Sequence, residues 1–310
     1  MYLRRRLWKE EEEKPKVSVI MGIHNGGEKL EDTILSIVAQ TFKKWEFIIC
    51  DDASTDDTWE TLVEWSQKEP RIVLLRNETE LGRVATFNKC LERASGSYVV
   101  RVDNENYSYP WRLRAEHDFL DINTIYAFVS GQVNGEVIVK GKKNIIEDFW
   151  HRKEFPKKKD FLIGPQYIPQ AAMFRRIPLQ KAGGYRIAPE TKGLEDYDLF
   201  MRLYAMGYIG CNLRRPLLRC VIEDVPKTYM HYIHEVKVRF QDFKKLKLLH
   251  WGFPFIFIPL FVGLVPRKIL WKIKIVDKKR VRRMKRRKKI KNKRKWDYYL
   301  NFWKWKKVGL

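Results

Sequence analysis

The sequence predicts an α/β protein: a mostly parallel sheet flanked by helices, followed by a basic C-terminal extension. Short β-branched runs alternate with helical stretches of about ten residues from Val17 to Val102, the order that parallel strands with right-handed crossovers require. Three polar loops, His24–Gly27, Asp51–Ser54 and Asp103–Asn106, follow strand ends and so share one sheet edge, where open α/β sheets bind ligands. The charge supplies the extension. Of a net +24, residues 267–310 carry +19, with 21 Lys/Arg against Asp277 and Asp297, and the remaining 266 residues carry only +5.

Each element follows in order. VSVIM (17–21) is the first strand, with a helix expected over 28–40. WEFIIC (45–50) is the second, with a helix over 58–69. Ile72–Leu75 is the third, with a helix over 83–94, and YVVRV (98–102) is the fourth. Pro110 opens a helix to about Leu120, with proline in the favoured first turn. Strands are expected at 124–129 and 136–140, joined through GQVNG, and at 171–174, with a charged loop over 151–160. Leu199, Leu203 and Met206 share one face of a helix that starts near Glu195.

Hydrophobic content of 45% with 14% aromatics is enough for a packed core and excludes wholesale disorder. Cys50, Cys90, Cys211 and Cys220 form no CxxC pair and read as buried or free thiols of a reducing compartment. MYLRRRLWKEEEEKPK lacks an apolar core, so it reads as a charged leader over 1–15 and not as a secretory signal. The expected division is that leader, a domain over 16–225, and a tail over 226–310.

Asp103 and Glu105, one residue apart at a strand end, can turn toward one point. Oxygen ligands alone suit Mg²⁺ or Mn²⁺, which complete their shells with water and substrate phosphates. Asp51 and Asp52 are placed to bind a ribose or base, whereas Ser54 and Asp56 also suit helix capping. The first loop lacks GxGxxG, which excludes a dinucleotide fingerprint. Glu195 and Asp196 open a helix, where the dipole stabilises acids and can keep one ionised as a general base. Acids and asparagines also make good turns, so both readings stay open at each loop.

Taken together, KVSVIMGIHNGG, WEFIICDDASTDDTWE, NETELGRVATFNKCLERASGSYVVRVDNEN, GGY and GLEDYDLFMRL closely resemble the family 2 glycosyltransferases of GT-A fold, over roughly Lys16 to Arg219. The resemblance implies inverting transfer of a sugar from a nucleotide-diphosphate donor, usually UDP-linked, with a divalent cation, Mn²⁺ or Mg²⁺. It places the DxD motif on Asp103, Asn104 and Glu105, with Asp103 and Glu105 as metal ligands. It places the base-and-ribose acids on Asp51 and Asp52, and the nucleoside pocket beside Ile23 and Asn25. Its ED pair falls on Glu195 and Asp196, with the aspartate as base. The loop departs from the common D-x-D-D, reading D-N-E-N, which puts tight metal binding in doubt. The setting implied is bacterial cell-surface polysaccharide or glycolipid synthesis on a glycan or lipid-linked acceptor. An inactive nucleotide- or glycan-binding module is the rival reading.

Leu248–Pro266 is uncharged and apolar, at the lower limit for a bilayer span, and Pro254, Pro259 and Gly263 break it. Exporting 21 Lys/Arg would oppose the positive-inside bias. The expectation is therefore a segment that dips into or lies on the cytoplasmic face of the membrane, held by anionic lipid. Nucleic acid is the rival partner for the basic tail and ranks below the membrane.

Overall fold

The computed structural model describes residues 14–139, 142–150, 152–221 and 228–265. The charged leader up to Glu13 and the basic tail from Pro266 lie outside the described residues.

The first half is the predicted alternation. β1 (Val17–Ile23), β2 (Trp45–Asp51), β3 (Ile72–Arg76) and β4 (Tyr98–Arg101) are separated by α1 (Leu30–Val38), α2 (Thr58–Lys68) and α3 (Arg83–Arg93). β1 pairs in parallel with β2 and β4, and β2 with β3. Both sheet faces are covered. Val17, Val19, Met21, Phe47 and Ile49 pack into one core, and Ile20, Ile48, Cys50 and Val99 into the other. Burial on both sides is why these strands read as near-continuous apolar runs. All four cysteines are free and buried.

Beyond β4 come β5 (Asn106–Ser108), α4 (Arg112–Ile122), β6 (Tyr126–Val139), β7 (Lys142–Trp150) and β8 (Met173–Arg175). Then follow α5 (Arg176–Lys181), α6 (Glu195–Ala205) and β9 (Ile209–Val221). The sheet order is β3-β2-β1-β4-β8-β6-β9-β5, with β7 on β6. β8 runs antiparallel to both β4 and β6, and β6 returns to parallel pairing with β9.

One expectation changes here, and two features are added. GQVNG is not a turn between two strands but the middle of β6, which continues because β9 pairs along it with register shifts around Gln132. A Cβ on Gly131 would lie 2.5 Å from Leu217, so this glycine serves strand contact. β5 was not foreseen, since its partner residues Leu218–Cys220 lie over a hundred positions away. The apolar stretch after Leu248 forms two short helices, α8 (Leu249–Ile256) and α9 (Ile258–Leu264). Pro254 sits inside the first, and no helix of the described residues is long and apolar enough to cross a membrane.

The first compact unit runs to Leu260. α7 (Tyr229–Lys245) buries Val238, Arg239, Asp242 and Phe243, and α8 buries Gly252 and Ile256. A Cβ on Gly252 would approach Phe243 to 2.7 Å and Leu162 to 2.9 Å, so glycine lets α8 sit tightly on the body.

Candidate active site

The loops after β1, β2 and β4 meet at one sheet edge, as the topology predicts. Each is held in an unusual backbone. Asn25, Ala53 and Glu105 have φ of 50°, 56° and 73°, three of four non-glycine residues with left-handed backbone among those described. The amide of Asn25 donates to Ser54 Oγ at 2.9 Å, and the amide of Thr55 donates to Asn25 Oδ1 at 2.9 Å. Gly26 donates to Thr58 Oγ1 at 2.7 Å, and Asn104 Nδ2 donates to the Gly26 carbonyl at 2.7 Å. Lys29 pairs with Glu105 at 3.0 Å. The three loops form one hydrogen-bonded rim.

The two acids after β2 divide their work. Asp52 accepts from Asn77 Nδ2 at 2.7 Å, the Leu81 amide at 2.9 Å and the Gly82 amide at 2.8 Å, so both its oxygens brace the 77–82 loop. Burial pushes its carboxyl up, but these bonds outweigh burial and hold it below the usual carboxylate range. Asp51 accepts from the Ser54 amide at 3.2 Å and pairs with Arg76 at 3.1 Å. Beside them an open depression of about 530 Å³ is lined by Ala53, Ser54, Arg76, Asn77 and Glu78. Ile23 faces inward, buried under Gly26, and not into this depression.

Because Asp52 has a depressed pKa when folded, its contribution is present above the unfolded pKa and lost as pH falls through the folded one. Asp52→Asn removes one acceptor and points an amide NH₂ at a backbone N–H. It is expected to cost about 1–3 kcal/mol at neutral pH. The gap to the parent should close below about pH 4. Urea denaturation at pH 7 and pH 3 measures both effects.

Arg101, the buried fourth residue of β4, joins the remaining acids. Its guanidinium forks onto Asp103, Nε to Oδ1 at 2.8 Å and Nη2 to Oδ2 at 2.9 Å. Its Nη1 reaches Asp196 Oδ1 at 2.5 Å. The fork lies over the Phe87 ring at 4.4 Å, and Arg112, buried below, donates to the Arg101 carbonyl at 3.3 Å. One cation thus ties the acidic loop after β4 to the start of α6. Arg83 pairs with Glu195 at 3.3 Å on the open side.

These two carboxylates are driven apart. Burial pushes both upward, but the bidentate fork reverses that for Asp103, which lies below its usual range. Asp196 receives one bond and has Asp103 and Glu195 nearby, so burial prevails over Arg101 and raises it. Acids whose environments separate their pKa values can divide into charge holder and base. The more basic member, Asp196, is a fifth exposed and can meet a substrate.

The acidic loop is only partly free to bind metal. No group of three His, Cys, Asp or Glu among the described residues is arranged to hold an ion. Mg²⁺ and Mn²⁺ sites completed by substrate phosphates need only one or two carboxylates. Glu105 is 41% exposed and the more available ligand, while Asp103 already spends both oxygens on Arg101. Asn104 Oδ1 is buried with no hydrogen-bond partner at the same loop. The oxygen-only donor set fits a hard divalent cation.

Arg101 and Arg83 carry the connection that the sequence reading overlooked. Both left signals: an arginine inside the apolar run YVVRV, and a cation at a helix start, where the dipole disfavours it.

Comparison with known proteins adds to this geometry. The model for "Glycosyl transferase family 2" matches residues 18–183. EpsE of Bacillus subtilis, a candidate glycosyltransferase by its name, is 32% identical over 263 residues, 83% of this chain and 92% of that protein. The Escherichia coli UDP-Glc:alpha-D-GlcNAc-diphosphoundecaprenol beta-1,3-glucosyltransferase WfaP is 31% identical over 208 residues, covering 63% of this chain and 73% of its own. Among solved structures, Staphylococcus aureus TarS 1–349 in complex with UDP-GlcNAc superimposes with a TM-score of 0.60. That match is 18% identical and covers 77% of this chain and 73% of TarS 1–349, a likeness of fold.

Proposed function

This chain belongs to the family 2 glycosyl transferases, and from that premise we propose that it moves a sugar from a UDP-sugar to an acceptor hydroxyl with inversion. The observation that carries the reading is the shared Arg101, which forks onto Asp103 and reaches Asp196 with its third nitrogen at the open sheet edge.

The residues act as follows. The nucleoside lies in the depression beside Ala53 and Arg76, where Asp51 holds Arg76 and the Asn25 amide holds Ser54 in the lining. Asp196 takes the proton of the acceptor hydroxyl. The freed oxygen attacks the anomeric carbon from the face opposite the diphosphate, and the bond from that carbon to the diphosphate oxygen breaks with its electron pair. Arg83 and Lys29, both on this edge, offset the negative charge that develops. Glu105, with Asp103 behind it, would hold a divalent cation, which when bound neutralises diphosphate charge. The acceptor we propose is a lipid-linked glycan of surface-polysaccharide synthesis. The support is similarity to an enzyme whose name specifies a diphosphoundecaprenol acceptor, and the acceptor class is read from that analogy.

The test is hydrolysis of a panel of nucleotide sugars by the full chain, with chelator and with Mn²⁺ or Mg²⁺ restored. Turnover of a UDP-sugar that stops in chelator and returns with metal is the expected result. Glu105→Ala should weaken nucleotide binding only when metal is present. Turnover of GDP-sugars alone would overturn the donor, and full activity in excess chelator would overturn the cation.

A further inference from the structure

Ten of the twenty exposed large hydrophobic residues of the described chain fall between Tyr229 and Val265, a concentration the catalytic site does not use. Within the first compact unit Phe240, Phe253 and Phe257 form one face, and Trp251 stands on the other flank of α8 beside Lys159. Phe240 of α7, Trp251 and Phe253 of α8, and Phe257 just after α8 are 45%, 65%, 55% and 37% exposed. Phe240, Phe253 and Phe257 line a groove of about 300 Å³, with Lys237 on its edge. Lys159 Nζ stands 5.4 Å from the Trp251 ring centre. The acids of α7 are already matched: Glu235 pairs with Arg239 at 2.7 Å and Asp242 with Lys245 at 3.3 Å.

We propose that this face docks into the headgroup region of an anionic bilayer. Aromatic side chains beside lysines suit that interface, where the rings reach the acyl boundary and the ammonium groups meet lipid phosphates. Charge selects the occupant. The chain continues from Phe257 into a segment carrying +19, whose first basic residue, Arg267, can lie no more than about 35 Å along the chain. A second copy would bring a second such segment, at a cost in like-charge repulsion. Nucleic acid would take the basic segment and leave the aromatic face unfilled.

The placement suits the lipid-linked acceptor proposed above, and this inference rests on that reading. His231 lies beside Gly193, where an added Cβ would stand 3.5 Å from its ring, so α7 starts next to the loop that leads into Asp196. Nine residues of helix put Phe240 about 13 Å further along. A sugar carried on a lipid diphosphate at the bilayer surface is then within reach of the base.

The experiment is sedimentation of the full chain with vesicles of phosphatidylcholine alone or with phosphatidylglycerol, at 0.1 M and 0.5 M salt, alongside the triple variant Phe240→Gln/Trp251→Gln/Phe253→Gln. These side chains are exposed, so the variant should fold and hydrolyse donor as the parent does. Salt weakens charge attraction but not apolar insertion. The expected result is binding to phosphatidylglycerol vesicles that survives 0.5 M salt in the parent and falls about tenfold or more in the variant at that salt. Equal binding of both at 0.5 M salt would overturn the proposal, as would a parent dimer that the variant dissolves without loss of vesicle binding. So would full release by salt with tight binding to a nucleic-acid duplex. Loss of UDP-sugar hydrolysis in the parent would instead sink the proposed reaction and leave the vesicle result standing.

Discussion

Asp196→Asn is expected to slow sugar transfer by roughly 10²–10⁴-fold, the contribution usual for a general base. Nucleotide-sugar binding should stay within a few-fold. The amide keeps the size of the side chain and one oxygen for Arg101 Nη1, so the fold has little reason to change. What disappears is the carboxylate that burial has made more basic than an ordinary aspartate. Glu195 cannot replace it, because Arg83 holds it and it points from the neighbouring position of the same helix turn. Single-turnover transfer, with binding measured separately by calorimetry, reads the two effects. A variant that transfers at the parent rate would reduce Asp196 to a first-turn acid stabilised by the helix dipole.

Arg101→Leu should cost about 3–5 kcal/mol of stability, because it strands two mostly buried carboxylates, the former partners of a buried cation. Asp103 loses both partners of its fork, and Asp196 loses the cation that opposes its protonation. Arg101→Lys separates the structural from the functional consequence. It keeps a charge but cannot fork onto one carboxylate while reaching another. It should recover much of the stability and leave transfer impaired. Urea midpoints for the two variants, with hydrolysis rates for the lysine form, test this. A leucine variant as stable as the parent would show that the shared ion pair is not what holds the acidic loop to α6.

The parts of the fold that were legible in the sequence are those whose signal is local. β1, β2 and β4 are short and apolar on both faces because helices cover both sides of the sheet, and their polar loops follow at once. Pairing across distance was not legible. β5 is three residues long and exists because β9 lies alongside it, and GQVNG has the composition of a turn although β9 keeps it extended. The acids of the site were visible by position, but their partners were not. That Asn77, Leu81 and Gly82 converge on Asp52 is not visible from its place in DDAST. Arg101 is one letter in YVVRV until the start of α6 folds back over it. The expected tail begins at residue 226, and within it only 248–266 stands out as apolar. The buried face of 229–260, Val238, Phe243 and Ile256, belongs to the body, and only the faces turned away from it are left exposed.

In the proposed reaction Asp196 drives attack from the face opposite the departing diphosphate. The anomer first released from an α-linked UDP-sugar reports on this directly, by ¹H NMR before mutarotation mixes the products. The account predicts the β-sugar from the parent and no comparable release from Asp196→Asn. An α-sugar as the first product, or β-sugar from the variant at the parent's rate, would contradict it.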